Sequence, residues 1–163
     1  MAIRPIMKQG EACLNKKCHP VTKFDTKLHH LIDDMRETIS EANGAGLAAP
    51  QVGILRRVVL VVNDEGEILE LVNPELIDSA GEQESLEGCL SVPGVWGFVT
   101  RPTWAKVKAQ DRSGNWFEVE GTEMTARCFC HELDHLDGKL YTELCGKLYT
   151  PDELAELEQE EEA

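Results

Sequence analysis

Between Leu28 and Ile39 the apolar residues Leu28, Leu31, Ile32, Met35 and Ile39 fall three or four apart. That spacing predicts a helix with one buried face, capped by Asp25 or Thr26 and running to about Ala42. His29 falls off the stripe and His30 lies on its edge, so both read as solvated. Asn43 and Gly44 end the helix, and a glycine-rich loop follows. The period then drops to two. Val58–Val62 is a β-branched run typical of a buried strand. A turn at 63–66 reverses it, and residues 68–72 return as the second arm of a hairpin. Segments 104–109 and 116–120 alternate around a turn at 111–115, which predicts a second hairpin with one polar face.

Residues 122–136 contain neither proline nor glycine, and Gly138 follows where a left-handed cap falls. Met124, Cys128, His131 and His135 lie along one stripe, while Ala126, Phe129, Cys130, Leu133 and Leu136 make most of the remaining circumference apolar. A helix apolar nearly all round is expected to be buried. Strands that precede one long buried helix indicate an α+β fold. Antiparallel β-sheets would pack around that central helix, with the N-terminal helix added.

At 163 residues the chain is long enough for one domain with a real core. Residues 1–150 are read as a single catalytic domain and 151–163 as an acidic tail. The tail holds seven acids and no base, half of the net charge of −14, and its role is read as solvation, with room for a short helix before it frays. The negative charge argues against a nucleic-acid surface. No apolar run approaches the roughly 20 residues that span a bilayer, and no signal-peptide core is present, so a cytoplasmic protein is expected. Six cysteines in a chain without small, secreted, loop-rich character are read as reduced thiols. Cys13, Cys18 and His19 lack a second pair at zinc-ribbon spacing, and Cys128, Cys130 and Cys145 read as packing residues.

The chemistry concentrates in His131-Glu132-Leu133-Asp134-His135. Residues i and i+4 share a helix face, so His131 and His135 can bind one divalent ion. Glu132 lies beside that face, where it can take a proton from a metal-bound water. Buried histidines need partners, and a metal supplies one for both. Glu87-Gly88-Cys89-Leu90-Ser91 offers a thiolate about forty residues earlier. Cys/His/His leaves one coordination place for water, although Cys89 alone also reads as a buried thiol in a tight turn. Gly44-Ala45-Gly46-Leu47-Ala48-Ala49 fits a dinucleotide pattern, but it follows a helix and meets Pro50 and Gly53, so that reading is rejected. A loop that lets a substrate backbone approach closely fits better, with the Gln51 amide at its end.

Together, Gly44-Ala45-Gly46-Leu47-Ala48-Ala49-Pro50-Gln51, Glu87-Gly88-Cys89-Leu90-Ser91 and His131-Glu132-Leu133-Asp134-His135 resemble the three signature motifs of the peptide deformylases of bacteria, in order and at similar separations. The resemblance spans roughly residues 5 to 145. It implies a metal-dependent hydrolase that removes the N-terminal formyl group from formyl-methionine of nascent polypeptides. Cys89, His131 and His135 would hold one divalent ion: Fe(2+) by resemblance, with Zn(2+), Ni(2+) or Co(2+) equally suited in geometry. Glu132 would serve as general base and then acid. The Gln51 amide and the Leu90 backbone N–H would stabilise the oxyanion. Ala45 and Gly46 would flank the peptide backbone, while Cys128, with Glu87 and His131 nearby, would border the methionine pocket. Arg101 and Asp134 would form an ion pair behind the ligand-bearing helix.

Two departures stand out. Cys130 replaces the glutamine that the family usually has before the first histidine. The acidic tail does not match the basic helix that some bacterial deformylases use on the ribosome, which leaves only a transient ribosome association open. No membrane partner is expected. Two other readings remain at this point. One is a zinc endopeptidase with Glu143 as third ligand. The other is a non-catalytic, metal-stabilised binding module closed by a thiol such as Cys130.

Overall fold

The computed structural model describes residues 2–162. Asp25 accepts a hydrogen bond from the Leu28 amide at 3.1 Å and so caps the first helix, α1 (Thr26–Ala42). Its stripe is buried at every expected position. Asn43 ends it in the left-handed region at φ 57°, which asparagine tolerates better than most residues. His30 is exposed, as read, but His29 is half-buried, its Nε2 meeting the Arg112 carbonyl at 2.7 Å.

The glycine-rich segment is more ordered than a loop. Gly46–Ala48 forms β1, paired antiparallel with β2 (Val58–Val62), and Ala49–Val52 closes into a 3₁₀ turn. The hairpin partner β3 (Ile68–Ala80) extends well past residue 72. Asn73 and Pro74 do interrupt the ladder, with a register shift between Val72 and Glu75. The chain continues because Asn73, at φ 50°, holds both the amide and the carbonyl of Val21 and the Gln110 side chain, each at 2.8 Å. A bulge stabilised in this way bends a strand without ending it.

β4 (Gln83–Cys89) and β5 (Val92–Arg101) form a hairpin that the sequence pattern did not reveal. β6 (Trp104–Gln110) and β7 (Trp116–Thr122) form the one that it did, each running slightly further than expected. α2 (Glu123–Leu136) follows, Gly138 takes φ 76°, and β8 (Leu148–Tyr149) leads into α3 (Pro151–Glu162). Thr150 and Glu153 cap α3 reciprocally, so the acidic tail is helical further than the short piece expected.

One sheet has the order β1-β2-β3-β6-β7 and the other β4-β5-β8. Val58 and Leu60 of β2 pack with α1, whereas Val59 and Val61 pack with Ala126, Phe129 and Leu136 of α2. Burial on both faces explains why β2 is an unbroken apolar run. α2 packs against β1, β2, β6 and β7 and also touches β5 of the smaller sheet. It is not buried all round, however. Met124 is 49% exposed, and Cys128, Cys130 and His131 are half-buried. The cause is two clefts that open along the helix.

The N-terminal segment crosses the outside of this frame. Arg4 pairs with Asp34 at 2.9 Å and its amide bonds Thr38. Further along, the Met7 amide bonds the Gln51 carbonyl at 2.7 Å, and the Gln9 amide bonds the Ser91 carbonyl at 2.8 Å.

Candidate metal centre

α2 places His131 and His135 on one face, with ring centroids 5.1 Å apart. Cys89 comes from the other sheet. It ends β4 opposite Val92, after an irregularity between Glu87 and Cys89 that re-aims the side chain. Gly88 permits the close approach there, since an added Cβ would stand 2.6 Å from the Trp96 indole nitrogen. The Cys89 Sγ lies 3.3 Å from His135 Nε2. The ligand atoms of Cys89, His131 and His135 all lie within 4.8 Å of one another, the one such cluster among the described residues.

The surroundings fix each ring. Glu87 Oε1 meets His131 Nδ1 at 2.9 Å, which leaves Nε2 for the centre of the cluster. Arg101 donates to both Glu87 oxygens, at 2.9 and 3.1 Å, and to Asp134 at 2.8 Å. The Arg101–Asp134 pair was legible in the sequence, but the forked bond to Glu87 was not. Burial alone would raise the Glu87 carboxyl, yet its bonds from His131 and Arg101 prevail and hold it at about 2. Burial, followed by the charges on His131 and Arg101, pushes His135 down to about 3, so its ring is neutral as a ligand must be. Burial also lowers His131, but the bonds to Cys89 and Glu87 outweigh it and raise the ring. Surroundings that favour a proton on His131 favour a cation in general. A thiolate and two imidazoles suit a borderline divalent metal and leave a place open. The residues present therefore fit such an ion.

Glu132 is buried beside this cluster, with one carboxylate oxygen lacking any partner and the other against Gly46. Burial pushes it up to about 7, close to what a proton carrier at neutral pH needs. Gln51 is also buried. Its Oε1 accepts from the Ala48 amide at 2.9 Å, and this aims Nε2 at Ser91 Oγ (3.1 Å) and Cys89 Sγ (3.6 Å).

These groups border a cleft of about 430 Å³. Ala45, Gly46, Gln51 and Glu132 line it together with Glu87, Cys89, Leu90, Cys128 and His131; His135 is buried beneath the cluster. Glu87 contributes to the wall, although Arg101 and His131 engage its carboxylate. Burial pushes the Cys128 thiol up to about 12, with the Glu132 charge adding to it, so Cys128 presents a neutral surface. Leu86, Trp96, Met124 and Arg127 also line the cleft, and Ser91 holds the Gln51 amide. Sequence reasoning assigned none of the five a part in the site, although it set Met124 on the stripe of Cys128, His131 and His135 and Ser91 within the second motif. That shared helical stripe was the available signal for Met124.

Other candidates lie elsewhere. Cys13, Cys18 and His19 form no metal cluster among the described residues. Glu143 accepts the Leu140 amide at 3.1 Å, and Cys130 lines a separate cleft with Leu133 and Asp134. Neither the endopeptidase's third ligand nor the closed structural site is therefore formed.

A family model described as polypeptide deformylase matches residues 3–149. A peptide deformylase of Agathobacter rectalis is 55% identical over 143 residues, covering 88% of this chain and 90% of its own. The crystal structure of a peptide deformylase from Legionella pneumophila superposes with a TM-score of 0.84 at 40% identity, covering 98% of each chain. A Met-Ala-Ser-bound class I type b peptide deformylase from Acinetobacter baumannii gives 0.83 at 35% identity, covering 88% of this chain and 98% of that one. Sequence, fold and the clustered thiol and imidazoles agree: the chain belongs to the polypeptide deformylase family, hydrolases that remove the N-terminal formyl group from nascent peptides.

Proposed function

We propose that deformylation takes place in this cleft, on peptides that begin with formyl-methionine, with Cys89, His131 and His135 holding one divalent ion. The ion is Fe(2+) in the cell, with zinc, nickel and cobalt as workable substitutes. The observation that carries the reading is the convergence of those three ligand atoms within 4.8 Å, beside the buried Glu132 carboxylate. When bound, such an ion acidifies water and polarises a carbonyl. Glu132 takes the proton of the water that attacks the formyl carbon. As the C–N bond breaks, Glu132 returns that proton to the departing amine, and formate leaves. The Gln51 amide, pre-aimed by Ala48, and the Leu90 N–H stabilise the charge on the formyl oxygen; one such donor is worth roughly 10²–10³ in turnover. Ala45 and Gly46 carry the peptide backbone, and Cys128 borders the methionine side chain. The Met-Ala-Ser bound to the A. baumannii protein is of the chemistry expected for such a product.

Residues 1–150 form the catalytic domain in this reading, and 151–163 are a solvating tail. Any association with the ribosome is transient and does not run through α3, whose acids repel phosphate. No helix among the described residues is long and apolar enough to cross a membrane. Action on nascent chains, in this reading, is a cytoplasmic task.

The test is anaerobic purification, metal analysis and formate release from formyl-Met-Ala-Ser, with Cys89→Ala as control. The reading requires one ion per chain and turnover, with both lost in Cys89→Ala. Metal-replete protein that releases no formate, or that cleaves internal amides instead, overturns it.

A further inference from the structure

Arg127 lies on α2 one residue before Cys128 and lines the same cleft, between Leu86 and Met124. Five of the other six arginines in this acidic chain hold carboxylates, and Arg56 holds none among the described residues. Arg4, Arg36, Arg57, Arg101 and Arg112 each have one at 2.8–3.1 Å. Arg127 has no carboxylate within 4 Å among the described residues. Its Nε is buried without a partner, and its one bond, to the Leu86 carbonyl, is long at 3.5 Å. A guanidinium is always charged and presents a planar fork of donors. An Nε–H held out of water without an acceptor is costly unless a ligand completes it. Leu86, Gly88, Trp96, Met124 and Cys128 line the same cleft without charge; of its two acids, Glu87 is engaged by Arg101 and His131, and Glu132 is buried beside the thiol and the imidazoles.

We propose that Arg127 is a specificity-determining residue that receives a carboxylate carried by the peptide just beyond its formylated residue. The chemistry needed is a planar anion that accepts two parallel N–H bonds. Two sources can supply it: an acidic side chain at the second or third position, or the free C-terminus of a short peptide. The proposal rests on deformylation in this cleft. The chain's net charge of −14 repels anionic peptides at long range, so the preference is local and stands out most clearly at physiological salt, where distant charges are screened.

The experiment compares kcat/KM for formyl-Met-Ala-Ala-amide, formyl-Met-Asp-Ala-amide, formyl-Met-Ala-Asp-amide and formyl-Met-Ala-Ala as free acid, at 0.15 M and 0.5 M salt. In the wild-type metal-loaded protein at least one carboxylate-bearing peptide should exceed the neutral amide about tenfold, the scale of one hydrogen bond to a charged group. The peptide that does so identifies the source. In Arg127→Met the ratio should fall to about one, and Arg127→Lys should restore part of it, because the charge is kept without the fork. A wild-type ratio near one for all three acidic peptides overturns the inference and leaves the deformylase reading intact. An excess that survives unchanged in Arg127→Met also overturns it. No formate from any of the four peptides sinks both.

Discussion

Glu132 lies directly against the main chain of Gly46: a methyl group added there would stand 2.9 Å from the carboxylate carbon and overlap its oxygen. The carboxylate proposed to carry the proton thus owes its position to a missing side chain on β1. Gly46→Ala should displace the carboxylate while Cys89, His131 and His135 keep their places. Displacements of this order cost about 10² in rate. Formate release should fall by that factor at unchanged metal content, and full turnover in Gly46→Ala would refute the contact's importance.

Glu132→Ala removes the proposed proton carrier but none of the three proposed ligands. Metal stoichiometry should match the wild type, and kcat should fall roughly 10²–10⁴-fold. Retained turnover in the metal-loaded variant would assign the proton transfer to another group.

Arg101→Met strands the buried Glu87 without its guanidinium and so loosens the carboxylate that orients His131. Removing one partner of a buried pair costs about 3–5 kcal/mol, and losing the orientation of a ligand weakens metal binding about 10–100-fold. Urea denaturation and competition with a chelator would measure the two losses separately.

Asp34 gives stability a defined acid dependence. Burial would raise its carboxyl, but the Ala2 amide and Arg4 together outweigh that and hold it below its ordinary value. A carboxyl lowered in the folded state contributes stability that is fully present above its unfolded value, about 3.9, and lost as pH falls through the folded value. The urea midpoint of the wild type should therefore exceed that of Asp34→Asn at pH 5. The gap should narrow as the pH drops below 4, and a constant gap would contradict the assignment.

Cys89 belongs to the three-stranded sheet and the two histidines to α2. A cation bound by all three joins those layers, and its binding energy adds to folding. Chelation should lower the melting temperature by about 5 °C or more. Cys89→Ala should be insensitive to the chelator.

Local periodicity made some of this legible and hid the rest. The α1 stripe and the His131/His135 pair depend on neighbours three or four apart, so a single window displays them. β4 and β5 stayed hidden because Gly88, Pro93, Gly94 and Gly97 break their alternation, although Leu86 and Phe98 pair across the strands. β3 outran its pattern because Asn73 finds partners 52 and 37 residues away, on Val21 and Gln110. The approach of Cys89 to the histidines is likewise non-local. Chemistry suggested the thiol, and the family's motifs placed it. Arg127 carried no sequence signal, since an arginine on a helix ordinarily points into water and only its buried, unpartnered Nε distinguishes this one.

The amide ties from Met7 to Gln51, which lines the cleft, and from Gln9 to Ser91, which sits between the lining residues Leu90 and Val92, fasten the cleft to a stretch of chain that lines no part of it. That outlying ribbon sets the gauge between those two points, much as a hoop keeps the staves of a cask at their spacing. Loosening it from the outside would slacken the aperture proposed for the formyl group, with Cys89, His131, His135 and Glu132 still in place.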